Sequence, residues 1–168
     1  MTLRIENQRG VAAVEMAVVL IPMLLLCFAV SELGRALYQY DGLVKSTRGA
    51  ARFFSQQSVL SPPPGETADS LRLKARSLVL CGAPACADRP ALVPGLALEM
   101  ISVCDPLLCP ATHLNVPTGE GAVNLVTVVI GADTGDGAAK FTFTSAVPWA
   151  IPDITFNPIG LTMASAIN

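Results

Sequence analysis

Residues 11–30 of this chain, VAAVEMAVVLIPMLLLCFAV, form a long and almost uninterrupted apolar segment. Glu15 is its one charged residue, and its length suits a helix, which needs about 20 apolar residues to cross a hydrocarbon core of ~30 Å. Arg4 and Arg9 precede it, and basic residues favour the cytoplasmic side of a membrane. We therefore predict a cytoplasmic leader at residues 1–10, a transmembrane helix at residues 11–30, and export of the remainder.

The composition excludes several classes of protein. Of 168 residues, 52% are hydrophobic and 14% are charged, so part of the apolar content is expected to face lipid instead of a core. A net charge of -2 with 11 Lys and Arg leaves no basic face for nucleic acid. The one histidine, His113, offers little for acid–base or metal chemistry. We expect no enzymatic activity, no cofactor or metal, and no nucleic-acid partner.

Two other interpretations of the apolar segment need weighing. A secretory signal peptide would have a shorter apolar run and a small-residue cleavage site, whereas this run continues into a patterned helix. An ordinary uncleaved anchor stays open, and Glu15 counts against it, because a carboxylate at a bilayer centre costs about 2.5–3.5 kcal/mol. Since Glu15 lies near one end of the segment, where that cost is lower, its position alone does not decide.

The spacing around Glu15 resembles the processing site of type IV pilins. Gly10 is followed by four small or apolar residues and then by the glutamate. The resemblance implies that a prepilin peptidase cuts between Gly10 and Val11 and leaves an amino group on Val11. Glu15 would pair with that group on a neighbouring subunit, and at ~4 Å with an effective dielectric constant of about 20 the attraction is about 4 kcal/mol before desolvation.

A longer segment, residues 9–54, is similar to the TadE family of the tight-adherence (Tad/Flp) pilus system. The matching features are the apolar run with its proline and the residues Glu32, Gly34, Arg35, Tyr38, Tyr40, Arg48, Gly49, Ala50, Ala51 and Arg52. The resemblance implies a minor pseudopilin of the inner membrane whose partners are lipid, prepilin peptidase, other pilin-like subunits and the pilus assembly machinery. Met16 stands where the system's major pilins usually carry tyrosine, which fits a minor component.

The helical period continues beyond the span. Apolar or small residues recur at intervals of three and four, at Leu33, Leu37, Tyr40, Val44, Thr47, Ala51 and Phe54. This stripe predicts one helix over residues 11–57, of which residues 31–57 lie outside the membrane. The stripe packs either against the chain's own exported domain or against helices of other subunits, and both alternatives stay open.

The exported part is predicted to be an α+β domain over residues 66–168. Residues 58–65 form a linker that contains the helix breaker SPPPG, and residues 66–80 form a short second helix that ends before Gly82. Apolar or alternating segments predict strands at residues 96–103, 122–130, 140–147 and 161–167. Two helices followed by about four strands predict a pilin-like architecture in which an antiparallel sheet packs on helix.

The cysteines are unevenly distributed. Cys27 lies in the apolar run, where a thiol acts as a small hydrophobe. The other cysteines form two pairs of equal spacing, and they are Cys81, Cys86, Cys104 and Cys109. Export to an oxidising compartment predicts two disulfides, for which three connectivities exist. A four-cysteine zinc site is the rival interpretation, although paired zinc ligands are often spaced more closely.

Three further features of the exported part have both a structural and a functional interpretation. His113 is near Cys109 and could be a ligand, but an exposed loop histidine is favoured. Trp149, which stands between two prolines, is expected to be a core plug or a loop anchor, with an interface role as the alternative. The sequence GADTGDG, residues 131–137, is expected to be a plain turn because its spacing does not fit a calcium loop.

These features together predict a structural protein. We expect a TadE-like minor pseudopilin that is processed after Gly10 and serves in the assembly of a tight-adherence pilus. The alternative is an unprocessed single-pass membrane protein whose exported module binds a ligand or a surface. The two differ in what a bulky residue at Gly10 does, because only the first requires cleavage there.

Overall fold

A computed structural model describes residues 8–119, 121–131, 139–149 and 151–165. Some predicted features lie outside these residues, namely the leader up to residue 7, the turn at residues 132–137, and the end of the last strand at residues 166–167.

The first helix, α1, spans Gln8–Ser55 and contains 48 residues. At about 1.5 Å per residue it is ~72 Å long, more than twice the ~30 Å of a hydrocarbon core. Pro22 lies inside it without ending it, as spanning helices permit. The prediction of one long N-terminal helix that continues beyond its apolar segment is confirmed.

The second helix, α2, spans Ala68–Cys81 and is capped at both ends. At its start the Thr67 side chain accepts a hydrogen bond from the Ser70 N–H, and the Ser70 side chain accepts one from the Thr67 N–H. At its end Gly82 has a φ of 73°, in the left-handed region, and its N–H donates to the Leu78 carbonyl. The predicted short helix and its glycine stop are confirmed.

The rest of the domain consists of short strands and helical turns. In chain order they are a 3-10 helix at Leu98–Met100, β1 at Ile101–Cys104, α3 at Pro110–His113, β2 at Val116–Thr118, β3 at Gly121–Val123, β4 at Leu125–Ile130, β5 at Thr142–Phe143, β6 at Ile154–Thr155 and β7 at Ile159–Ala164. The main sheet is antiparallel with the order β1-β4-β7, while β2 pairs with β3 and β5 with β6. The α+β class is confirmed, with three strands in the main sheet where the sequence indicated about four.

The segment predicted as a strand at residues 140–147 accounts for this difference. Its alternation is correct, since Phe141 and Phe143 are buried and the residues that follow each of them are exposed. Only β5 within it pairs as a strand, and its partner is β6. The carbonyl of Thr144 and the N–H of Ala146 are bonded by side chains of α1 instead of by a neighbouring strand.

One hydrophobic core joins the outer half of α1, α2 and the main sheet. Its largest contributors are Leu43, Phe54, Leu71, Val79, Ile101, Val126, Val128, Ile130, Phe141 and Phe143. Small residues of α1, such as Ala36, Ala50 and Ala51, are also buried in it. The outer half of α1 is therefore part of the folded domain and not a free rod.

The predicted stripe on α1 is correct at residues 47–54 and wrong at residues 33–37. Thr47, Ala51 and Phe54 are buried, whereas Leu33 is 52% exposed and Leu37 is 60% exposed. A stripe with a period of about 3.5 residues drifts by ~20° per heptad on a straight helix of about 3.6 residues per turn. Over several heptads the stripe therefore moves off the buried face of α1. In the earlier part of the helix the buried residues are Glu32, Ala36 and Gln39, each one position before a residue of the predicted stripe.

A buried ion pair joins α2 to the turn after β1. Asp105 is fully buried, and its carboxylate accepts hydrogen bonds from Arg72 Nε at 2.6 Å and Arg72 Nη2 at 3.1 Å. The N–H groups of Leu107 and Leu108 donate to the same carboxylate at 2.8 Å and 3.0 Å. Burial alone would raise the pKa of Asp105, but these hydrogen bonds, that from Arg72 first, hold it below its usual range.

Candidate assembly site on the first helix

The inner part of α1 carries the predicted processing site. Residues 10–28 are all exposed, and a Cβ added at Gly10 would meet no atom within 4 Å. Val11 is 60% exposed and continues the same helix. No described part of the domain that follows α1 covers the bond between these two residues, so a peptidase would meet no obstruction from it.

Glu15 lies on the same exposed stretch of α1. It forms no hydrogen bond or ion pair with the residues that the structure describes. Residues four apart on a helix share a face, so Val11 and Glu15 can both face one neighbouring helix. The arrangement is open to intermolecular pairing because nothing within the described chain uses the carboxylate.

The surface around this site is apolar on every side of the helix. Its exposed large hydrophobic side chains are Val11, Val14, Met16, Val18, Val19, Leu20, Ile21, Met23, Leu24, Leu25, Leu26, Phe28 and Val30. By length and composition, α1 is the one candidate membrane span in the described part of the chain. An apolar surface of this extent needs lipid or other apolar helices to cover it.

Just beyond this surface, Glu32 and Arg35 of α1 contact the loop after β5. Arg35 Nη2 donates to Glu32 Oε2 at 2.7 Å and to the Thr144 carbonyl at 2.8 Å. Glu32 Oε2 also accepts from the Ala146 N–H at 3.3 Å. The Arg35 guanidinium lies 4.4 Å from the centroid of the Phe143 ring, a cation–π contact. Together these contacts hold the loop after β5 against α1.

The Glu32–Arg35 pair also limits how far α1 can enter a hydrocarbon core. Hydrogen bonding from Arg35 lowers the pKa of Glu32 below its usual range, although burial opposes this effect. The Glu32 carboxylate is therefore charged at neutral pH, and charged groups are costly to move into hydrocarbon. Sequence reasoning assigned neither residue a role, because their partners are distant in the sequence. Thr144 lies 109 residues after Arg35, and Ala146 lies 114 residues after Glu32.

The cysteines outside α1 form two pairs of sequence neighbours. Cys81 and Cys86 have Cα atoms 5.7 Å apart, at disulfide distance. Cys104 and Cys109 have Cα atoms 5.8 Å apart, also at disulfide distance. This geometry favours one of the three connectivities that the sequence left open. Cys27 is exposed on the apolar part of α1.

The zinc interpretation finds little support in the described part of the chain, where the four cysteines do not form one cluster. One smaller group exists, in which ligand atoms of Cys104, Cys109 and His113 lie within 4.8 Å of one another. His113 is half-buried, not exposed as predicted, and burial lowers its pKa. Its Nε2 lies 2.8 Å from Thr127 Oγ1 and its Nδ1 lies 2.7 Å from Thr112 Oγ1, so hydroxyl groups occupy both nitrogens.

Comparison with known proteins supports an assignment for α1. The family model described as TadE-like protein matches residues 10–52. The match begins at Gly10, includes Glu15 and the Glu32–Arg35 pair, and ends within α1. No curated protein and no solved structure shows significant similarity to the chain. Over residues 10–52, which lie within its first helix, the chain is therefore similar to the TadE-like family of the Tad pilus system.

Proposed function

We propose that this chain is a minor pseudopilin in the assembly of a tight-adherence (Flp-type) pilus, and that a prepilin peptidase processes it after Gly10. The observation that carries the proposal is the family match, which starts at Gly10 and covers a helix whose inner part is apolar and exposed. Such a subunit acts through its surfaces, so the proposal assigns no enzymatic activity and no cofactor.

Cleavage would give Glu15 a chemical partner. The new amino group of Val11 on one subunit would pair with Glu15 on the next. At ~4 Å and an effective dielectric constant of about 20, the attraction is about 4 kcal/mol before desolvation. A carboxylate costs about 2.5–3.5 kcal/mol at a bilayer centre and less near the end of a span, where Glu15 lies. The pair would therefore make the glutamate tolerable in lipid and set the register of adjacent helices.

The proposed location is the inner membrane, with the N-terminus in the cytoplasm and the exported domain outside it. Arg4 and Arg9 before the apolar segment support this orientation. The two cysteine pairs at disulfide distance suit an oxidising compartment, and we propose that both disulfides form there. The proposed segments are the leader at 1–10, the span at 11–30, its helical continuation at 31–57, the linker at 58–65 and the exported domain at 66–168.

A second face of α1 is available for contacts with other subunits. Leu33 and Leu37 are more than half exposed, and Tyr38 is 81% exposed. A groove of about 460 Å³ adjoins Tyr38 and runs between α1 and residues 92–94. Both alternatives for the outer helix therefore have support, since the chain's own domain covers one face and sister subunits would cover the other.

The test of processing is Gly10→Leu in the native host, because a bulky residue should block the peptidase. Gly49→Leu is the matched control, since Gly49 is also in α1 and a Cβ there also meets no atom within 4 Å. We expect Gly10→Leu to accumulate at full length without supporting pili, and Gly49→Leu to be shortened normally. Shortening of the Gly10→Leu protein together with normal pili would contradict the proposal.

The pairing role of Glu15 is tested separately by Glu15→Ala. This protein should be cut after Gly10 as usual but should not support pilus assembly, because the amino group then lacks its partner. Asp41→Ala is the control, since Asp41 is an exposed carboxylate of α1 that pairs with Lys45 of its own chain. Normal assembly with Glu15→Ala would exclude the pairing. If Gly10→Leu also changed nothing, the unprocessed exported binding module would be the better explanation.

A further inference from the structure

Trp149 is not a core plug. Its side chain is 71% exposed, and it lies beside the apolar part of α1. Together with Leu25, Leu26 and Ala29 it lines an open cavity of about 350 Å³. An exposed indole next to the candidate span requires a different explanation from one buried in the exported domain.

The loop that carries Trp149 is held in place on both sides. Before it, the Thr144 carbonyl and the Ala146 N–H are bonded to Arg35 and Glu32 of α1. Around it, the Ile151 N–H donates to the Val147 carbonyl at 3.0 Å and closes a turn. The position of the indole beside α1 therefore follows from the fold.

The depth of Trp149 along α1 matches the edge of a bilayer. Residues 10–28 are exposed, and Ala29, which lines the same cavity as Trp149, is the first half-buried residue of α1 among those whose burial is described. Leu26 is about 6 Å below Val30, where the apolar segment ends, at ~1.5 Å per residue. The interfacial layer on each side of a hydrocarbon core is about 5–7 Å thick. The indole thus lies within one such thickness of the boundary.

The chemistry of the loop suits the same boundary. Residues 146–152, AVPWAIP, contain no charged side chain. The charged pair Glu32–Arg35 lies on the side of the loop away from the span. Tryptophan is enriched at membrane–water interfaces, because its ring is apolar and its N–H can reach water or headgroups.

We infer that Trp149 inserts into the headgroup boundary of the leaflet from which α1 emerges, and that its loop seats the exported domain on the membrane. This inference rests on the proposed membrane span of α1. The occupant of the surface is lipid, because the indole adjoins the span itself and its loop carries no charge. Its contact sets the height of α1 in the bilayer and keeps the domain at a fixed orientation before assembly.

The chain allows a direct test because Trp149 is its one tryptophan. The full chain is reconstituted in phosphatidylcholine vesicles, and flotation after an alkaline carbonate wash reports whether α1 is inserted. Indole fluorescence is then quenched by acrylamide from water, or by lipids brominated near the headgroup or near the chain end. The control protein carries Leu107→Trp and Trp149→Phe, since Leu107 is an exposed residue of the turn after β1.

The expected result has three parts. The protein floats, Trp149 is quenched by acrylamide several-fold less than the control indole, and bromines near the headgroup quench it more than bromines near the chain end. A floating protein whose Trp149 is as accessible to acrylamide as the control would overturn the inference and leave the span intact. Shielding from both acrylamide and bromine would mean that another protein chain covers the loop, which also overturns it. A protein that does not float would refute the span and the inference together.

Discussion

Arg72→Ala should destabilise the α+β domain by about 3 kcal/mol, at the lower end of the range for breaking a buried ion pair. Arg72 is 15% exposed, and its partner Asp105 is fully buried. Without Arg72 the carboxylate keeps, among the described residues, the backbone N–H groups of Leu107 and Leu108 as its donors. A buried charge without its counter-ion is what makes the change costly, and the backbone donors keep the cost from being larger.

The matched control is Asp69→Ala. Asp69 also pairs with Arg72, at 2.5 Å, but its side chain is 90% exposed. Exposed ion pairs contribute at most about 1 kcal/mol, so this change should have a small effect. Each variant therefore removes one member of the same ion-pair network. Arg72 is largely buried, whereas Asp69 is exposed to solvent.

The assay is hydrogen exchange of the full chain in mild detergent. The amides of Val126 and Val128 in the central strand β4 are buried in the core, so their exchange should report the free energy of opening the domain. If Arg72→Ala lowered that free energy no more than Asp69→Ala did, the ion pair would not have the structural role described here.

The pH dependence of this free energy gives a second readout of the same pair. Although burial opposes it, hydrogen bonding from Arg72 lowers the pKa of Asp105 in the folded chain, whereas the unfolded chain has a pKa of about 3.9. A lowered folded pKa stabilises the fold above the unfolded value, and this stabilisation is lost as the pH falls through the folded value. The free energy of unfolding of the wild-type domain should therefore fall as the pH is lowered below about 4, which the same exchange assay measures.

Three further predictions concern the core, the sheet and the loop beside α1. Phe54→Ala should cost about 3–5 kcal/mol by the same exchange assay, because Phe54 is fully buried, whereas Leu73→Ala at a 54% exposed site should stay within about 0.5 kcal/mol. Gly160→Ala should cost about 1–3 kcal/mol in that assay, because its Cβ would lie 2.9 Å from Cγ2 of Val129 in the paired strand. Glu32→Gln should weaken the attachment of the loop after β5, and acrylamide quenching of the chain's single tryptophan should rise. Equal costs for Phe54→Ala and Leu73→Ala would contradict the burial of Phe54. A Gly160→Ala protein of unchanged stability would contradict the close approach to Val129, and unchanged quenching in Glu32→Gln would contradict the attachment of the loop to α1.

The features that sequence reasoning predicted well depend on local patterns. Residues 11–30 form an apolar segment long enough to cross a bilayer, so a helix there can be predicted from the local composition alone. Gly82 stops α2 because the left-handed conformation there favours glycine, which is a local requirement. The alternation around Phe141 and Phe143 correctly indicated which side chains are buried.

The features that it missed depend on contacts between distant parts of the chain. The phase of the buried face on α1 changes along the helix, so that Leu33 and Leu37 are exposed while Phe54 is buried. The attachment of the loop after β5 joins residues more than a hundred positions apart, and no local pattern encodes it. For the same reason the place of Trp149 beside α1 could not be predicted, since it depends on that attachment.

The central claim, that this chain is processed as a pilin-like subunit, is tested most directly by N-terminal sequencing of the protein recovered from envelopes of its native host. Our account predicts that the mature chain begins at Val11, with Glu15 as its fifth residue. A chain that begins at Met1 or Thr2 would contradict processing after Gly10, and the search for function would then move to the exported domain.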